Sequence, residues 1–270
     1  MSEPLVLVER DGDVALLTLN DPQRRNAMTE AMGRALAGVV RDLAGEDRLR
    51  AVVLRGAGPS FSAGGDLDMI EAKARAGVAD PGGPAREASR RFMREFYGLF
   101  LCIRDLPCPS VASIHGAAIG AGLCVALACD LRVAARDARL ALNFARLGIH
   151  PGMAATWTLP RLVGPARAAE LLFTGRSLDG AEAERIGLVN RAVPEAEVVG
   201  AALELAREIA AAAPRAVRGA KRSLAGSEAA SLTEQLEAEA AAQALDYESR
   251  DLLEGLAAAR ERRTPRFRGV

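Results

Sequence analysis

In the first sixty residues, the spacing of apolar positions changes back and forth between the spacing typical of strands and the spacing typical of helices. Apolar runs at 5–9 and 14–20 flank an Asp-Gly-Asp turn and predict two β-strands. Between 29 and 43 the apolar residues recur every three or four positions, which predicts a helix. A buried strand is predicted at 51–54. This alternation is typical of an α/β fold.

The middle of the chain continues in the same way. Residues 66–104 have helical spacing, broken at 80–84 by Asp-Pro-Gly-Gly-Pro, which predicts a surface loop. Strands are predicted at 110–115 and 131–134, with a helix at 121–128 between them.

The last part of the chain is almost entirely helical in pattern. Ser231-Leu-Thr-Glu234 matches a capping box and predicts a helix start. We therefore divide the chain into a core, residues 1–195, and a C-terminal helical section, residues 196–270.

The composition of the chain excludes several classes of protein. The chain has 270 residues, with 35 Lys and Arg against 35 Asp and Glu, which argues against a nucleic-acid partner. No run reaches the roughly 18 apolar residues of a membrane span, and the first residues lack a signal-peptide pattern. We expect a cytoplasmic protein without a membrane partner. Four cysteines without CxxC spacing and two histidines predict reduced thiols and no metal site.

Two glycine-rich turns, at 61–67 and 115–122, each follow a predicted strand and precede a helix. Small residues there leave backbone N–H groups uncovered at a helix N-terminus, where negative charge is stabilised. Brought together, the two turns would form an oxyanion hole; either turn alone is more often a tight connection. Neither matches a P-loop or a dinucleotide fingerprint.

Five motifs in this order resemble the crotonase (enoyl-CoA hydratase/isomerase) superfamily. They are Asp-Pro followed by Arg-Asn-Ala at 21–27, Phe-Ser-Ala-Gly-Gly-Asp-Leu at 61–67, the run 116–130, Leu-Pro-Arg-Leu-Val-Gly at 159–164, and the stretch 174–190. The resemblance implies a spiral of repeated ββα units with a helical C-terminal section. It also implies a homotrimer or hexamer, an acyl-CoA thioester as substrate, and no separate cofactor.

The resemblance places the thioester oxygen against the backbone amides of Gly65 and Ala121. It implies that the loops around Ala63 and Asn26 form the edge facing adenine. The substrate-binding residues that it implies are Asn26, Ala27, Ala63, Gly64, Asp66, Leu67, Cys124 and Phe144.

The acid/base positions depart from the family pattern. A hydratase of this family has glutamates where Cys124 and Phe144 stand, and a related isomerase pattern has an aspartate at Gly152. Hydration needs groups that deprotonate water and protonate carbon, so an ordinary hydratase is not expected. His150 is the acid/base candidate, with an outward-pointing, inactive side chain as its alternative.

Two further residues have competing interpretations. Cys124 is either a nucleophile or, more commonly for a helix residue among apolar neighbours, part of the core. Asp66 is interpreted as a helix cap rather than a base.

Three functions remain open. An isomerase-like acyl-CoA enzyme ranks first, and a non-catalytic acyl-CoA-binding protein second. A decarboxylase of a malonyl-type thioester ranks third, because that reaction needs an enolate sink but no strong base.

Overall fold

The computed structural model describes residues 3–227 and 229–270. The strands are β1 (Val6–Asp11), β2 (Val14–Leu19), β3 (Ala51–Gly56), β4 (Ser110–Ile114), β5 (Ala117–Ile119), β6 (Leu131–Ala135), β7 (Arg139–Ala141), β8 (Ser177–Leu178) and β9 (Arg191–Val193). The helices are α1 (Glu30–Ala44), α2 (Leu67–Ala79), α3 (Pro84–Leu101), α4 (Ala121–Ala128), α5 (Ala155–Val163), α6 (Pro165–Thr174), α7 (Gly180–Arg185), α8 (Val198–Ala210), α9 (Pro214–Ser227), α10 (Leu232–Asp246) and α11 (Arg250–Glu261).

Within these residues the strands form two sheets. The larger has the order β1-β2-β3-β4-β6-β9, antiparallel between β1 and β2 and parallel from β2 onward. All six residues of β2 are buried, as expected for an interior strand covered on both faces. The smaller sheet has the order β5-β7-β8.

Consecutive strands divide between the two sheets. β4 lies in the large sheet, β5 lies in the small one, and α4 follows; β6 and β7 repeat the division before α5. This is the ββα unit that the resemblance implies, so the α/β spiral prediction is confirmed. The short strands β5, β7, β8 and β9 were not predicted, because two or three residues are too few to show a period.

Helix boundaries follow local chemistry. The helix expected at 29–43 begins after Thr29, whose Oγ1 accepts a hydrogen bond from the Met32 amide at 3.1 Å. The helical stretch at 66–104 separates into α2 and α3 around the Asp-Pro-Gly-Gly break, as predicted. The predicted helix at 121–128 is α4, and all of its residues are buried.

The C-terminal section is helical, as expected. α8 packs on β3, β4 and β6 of the large sheet, with Val198, Ala202 and Ala206 buried. The predicted capping box opens α10, with Ser231 and Glu234 each accepting from the other's backbone amide. None of the helices in the described ranges is both long and apolar enough to cross a membrane.

Candidate active site

The two glycine-rich turns lie against each other. The Ser62 amide donates to Ala117 O at 3.0 Å, and the Ile119 amide donates to Ser62 O at 3.1 Å. Gly64 has φ +96°, and a Cβ atom placed on it would lie 2.5 Å from Ile119 O and 3.7 Å from Ala121 N. Only a residue without a Cβ permits this approach and this backbone conformation.

The close contact between the two turns places two backbone amides beside the same cavity. Gly120, at φ +52°, donates its amide to Ala141 O at 2.7 Å and turns the chain into α4. Ala121 is therefore the first residue of α4, where an amide has no helical partner. The Gly65 amide also makes no hydrogen bond within residues 3–227 and 229–270. Gly65 and Ala121 both line the cavity.

The cavity has a volume of about 1000 Å³, which suits an organic ligand of cofactor size. Its walls come from the two turns, from α2 and α3, and from the segment 143–153. The turns are held in the sheet framework, whereas α2 and α3 form an outer wall joined by an exposed loop.

Most of the residues that the sequence implicated meet here. The lining includes Ala27, Ala63, Gly64, Gly65, Asp66, Leu67, Ala121, Phe144 and His150. Asn26 and Cys124 are not among the residues that line the cavity. The side chains of both are buried within the protein.

Asn26 is fully buried and in the left-handed region, at φ +54°. Its Nδ2 donates to the carbonyl oxygens of Ala57 and Ser60, both at 2.9 Å, and its Oδ1 accepts from the Asp21 amide. The side chain therefore fixes the first glycine-rich turn from beneath.

Cys124 is buried in α4, and its thiol points toward Gly152 O at 3.8 Å. Burial raises the pKa of the Cys124 thiol far above its ordinary value. A neutral, enclosed thiol packs as a small apolar group, which agrees with the core interpretation rather than with a nucleophile.

Asp66 caps α2, as the sequence predicted. Its Oδ1 accepts from the Met69 amide at 2.8 Å, and its Oδ2 is ion-paired with the Arg24 guanidinium. Both oxygens therefore have partners.

His150 is exposed at the edge of the cavity. Its Nδ1 lies 2.8 Å from Pro151 O. Because a carbonyl oxygen only accepts, we assign the ring proton to Nδ1, which leaves the Nε2 lone pair free to accept a proton. His115, by contrast, contacts Gly58 O through Nε2 at 2.9 Å and does not line the cavity.

Sequence reasoning named few of the residues that line the cavity from α2 and α3, and three of those it missed carry a cation or a phenol. They are Lys73, whose Nζ lies 3.6 Å from the centre of the Phe92 ring, Arg86, and Tyr97. The helical period predicted these helices, but nothing in it indicates which face covers a cavity. Among the described residues, no cluster of His, Cys, Asp or Glu could hold a metal ion.

Known proteins are similar to this chain in sequence over most of its length. The chain matches a family model described as enoyl-CoA hydratase/isomerase over residues 9–270. It is 42% identical over 212 residues to the protein named probable enoyl-CoA hydratase EchA14 of Mycobacterium tuberculosis, covering 78% of this chain and 77% of the relative. It is 33% identical over 264 residues to the 1,2-epoxyphenylacetyl-CoA isomerase of Escherichia coli, covering 98% of each chain.

Solved structures show the same relationship. The crystal structure of an enoyl-CoA hydratase from Bacillus anthracis is similar with a TM-score of 0.89 and 34% identity, covering 98% of this chain and 100% of that one. A match that spans both the motifs and the whole fold shows that this chain belongs to the enoyl-CoA hydratase/isomerase family.

Proposed function

We propose that this protein is an acyl-CoA enzyme that shifts a double bond in an enoyl thioester, with the thioester oxygen held by the amides of Gly65 and Ala121. The observation that carries the proposal is the contact between Gly64 and Ile119, which brings two unpartnered amides to one cavity wall. Amides aimed at an oxygen where negative charge develops stabilise an enolate. That makes a proton on the adjacent carbon easier to remove.

The surroundings of the amides favour isomerisation over ordinary hydration. The two hydratase positions hold a buried, neutral thiol at Cys124 and an apolar ring at Phe144. Neither can hold and deprotonate a water molecule. The carboxylates in the described lining, Asp66 and Asp68, lie at the start of α2.

His150 supplies a base in this proposal. Its Nε2 lone pair takes the proton from the carbon next to the thioester, and the freed electron pair is delocalised onto the oxygen held by Gly65 and Ala121. Imidazole is the side chain that most often acts as a general base.

The test compares trans-3-hexenoyl-CoA isomerisation, crotonyl-CoA hydration and methylmalonyl-CoA decarboxylation by the purified chain. We expect isomerisation to be the fastest. In His150→Gln, kcat should fall by roughly 10²- to 10⁴-fold, the range for loss of a general base. His115→Gln, which changes the histidine outside the cavity, should leave the rate within a few-fold.

The other outcomes separate the alternatives. Crotonyl-CoA hydration that exceeds isomerisation and survives His150→Gln would refute the assignment of His150. Release of carbon dioxide as the fastest reaction would favour the decarboxylase. Tight binding of every thioester without turnover would favour a binding protein.

We also propose that the chain assembles as a homotrimer or hexamer. Large apolar side chains on α10 are exposed in the single chain, with Leu232 at 76%, Leu236 at 57% and Leu245 at 51% of their full exposure. Burial of such a surface between copies is favourable. Sedimentation equilibrium at several concentrations gives the mass directly, and a monomer throughout would refute the assembly.

A further inference from the structure

The Tyr97 phenol lies where a side chain at position 152 would be. Tyr97 is half-buried on α3 and lines the cavity. A Cβ atom placed on Gly152 would lie 2.5 Å from the Tyr97 hydroxyl oxygen and 3.0 Å from its Cζ. Only glycine at 152 leaves room for the phenol in this position.

The hydroxyl also lies within electrostatic range of Cys124, so it is near two of the three positions where the family pattern has a carboxylate. Cys124 contacts Gly152 O through its thiol, and it is an electrostatic neighbour of the Tyr97 hydroxyl. Cys124 stands three residues after Ala121 on α4, a rise of about 4.5 Å along the helix. Tyr97 and Ala121, whose amide is proposed to hold the thioester oxygen, both line the same cavity.

The chemistry of this hydroxyl is that of a donor. It has no hydrogen-bond partner within residues 3–227 and 229–270. Burial, with a smaller contribution from Cys124, raises the pKa of Tyr97 above its ordinary value. The phenol therefore keeps its proton at neutral pH, and a half-buried donor without a partner is poised to donate to a ligand.

We propose that Tyr97 is the catalytic proton donor of this site and delivers its hydroxyl proton to the far end of the dienolate. The inference rests on the proposed function, which supplies the dienolate. For a 3-enoyl thioester, His150 Nε2 takes a proton from C2 and the electron pair forms the dienolate.

In the second step the Tyr97 O–H bond breaks and a C4–H bond forms. The electrons of the C3–C4 double bond make the new bond to hydrogen. The C1–C2 double bond of the dienolate shifts to C2–C3, and an electron pair on the enolate oxygen re-forms the thioester carbonyl. The phenolate left behind and the imidazolium of His150 then exchange a proton through solvent. Atoms and charge balance, and both groups return to their starting forms.

Tyr97→Phe tests the inference, because it removes the hydroxyl and keeps the ring against Gly152. With trans-3-hexenoyl-CoA we expect kcat to fall by roughly 10²- to 10⁴-fold, as for loss of a general acid, while KM changes less than threefold. Tyr247→Phe is the matched control, since Tyr247 is the other tyrosine, is 75% exposed and lies outside the cavity. It should leave kcat unchanged.

Deuterium exchange distinguishes a proton donor from a structural residue. In heavy water Tyr97→Phe should still exchange the C2 protons of the substrate through His150 while product forms slowly. Equal loss of C2 exchange and of turnover would mean a structural role and would overturn the inference. Turnover within threefold of the unmodified chain would also overturn it, while leaving the proposed function intact.

A double-mutant cycle adds a geometric test. Gly152→Ala places a methyl group against the hydroxyl, so it should cost activity in the unmodified chain and far less in Tyr97→Phe. Independent, multiplying losses would contradict a shared role. Absence of isomerisation by the unmodified chain would refute the proposed function itself and, with it, this step.

Discussion

The side chain of Ser62 lies directly beneath Gly122, so close that a Cβ atom at 122 would be 2.6 Å from Ser62 Oγ. The same hydroxyl donates to Asn26 O at 2.8 Å and accepts from the Gly64 amide at 3.1 Å. One buried hydroxyl therefore joins the segment at Asn26, the first glycine-rich turn and the start of α4.

Ser62→Ala should lower both stability and activity. Loss of the hydroxyl leaves a buried amide and a buried carbonyl without their partner, which costs about 1–3 kcal/mol. Urea unfolding measures the change. Ser113→Ala is the control: Ser113 Oγ is also buried but has no partner among the described residues, so its removal should be neutral or stabilising. Equal destabilisation by the two variants would contradict the bridging role.

Gly64→Ala should separate the two turns. The new Cβ would meet Ile119 O at 2.5 Å and force alanine into a positive φ, a strain of about 1–3 kcal/mol. We expect kcat to fall more than tenfold as the two amides move apart, with a lower melting temperature. Gly38→Ala makes the same change in α1 with nothing within 4 Å, and should stabilise by about 0.5–1 kcal/mol. Full activity in Gly64→Ala would show that the contact between the turns does not set the amide geometry.

Asp66 gives a test that separates a cap from a base. Asp66→Asn retains a side-chain oxygen for the Met69 amide, so stability and turnover should change little. Asp66→Ala removes the cap and should cost about 1 kcal/mol, again with turnover retained within a few-fold. Thermal unfolding and isomerase kinetics on both variants check this. Loss of turnover in Asp66→Asn at unchanged stability would instead make Asp66 a base.

The thiols should react slowly and in a defined order. Burial raises the pKa of Cys102 and of Cys108 to about 11, with Asp105 adding a smaller increase at Cys102. Only the thiolate is nucleophilic, so alkylation by iodoacetamide should be slow at pH 7.5 and rise about tenfold per pH unit below pH 11. Cys102, the partly exposed thiol, should react first.

Peptide mass spectrometry after timed alkylation identifies each labelled thiol. Cys124 should remain unlabelled in the folded chain, because it is buried and neutral. Cys124→Ala should retain turnover within a few-fold. Rapid labelling of Cys124 that is blocked by an acyl-CoA would return it to the role of nucleophile.

Sequence reasoning found those parts of the site that local pattern encodes. The glycines and small residues of the two turns indicate uncovered amides, and the uniformly apolar run of α4 predicts a buried helix. Asn26 shows where such reasoning stops. The family motif implied that Asn26 lies beside the ligand. Its side chain instead donates to the carbonyl oxygens of Ala57 and Ser60, which are 31 and 34 residues away in the chain. No local pattern reveals that distant pairing.

Tyr97 was missed for a related reason. Its helical period marks it as one residue on a partly apolar face, but the space that it fills belongs to Gly152, more than fifty residues later. A glycine in the sequence gives no indication that a phenol from a distant helix will occupy the space beside it. Only the packed structure relates the two.

The division of the cavity walls has a consequence for how this fold diversifies. The two amides stand on turns locked into the sheets by backbone hydrogen bonds, while α2 and α3 are separate helices joined by an exposed break. The turns that carry the two amides and the helices that form the outer wall of the cavity are thus separate stretches of chain. Substitutions in residues 67–101, Tyr97 apart, can therefore reshape the outer wall of the cavity without moving the two amides.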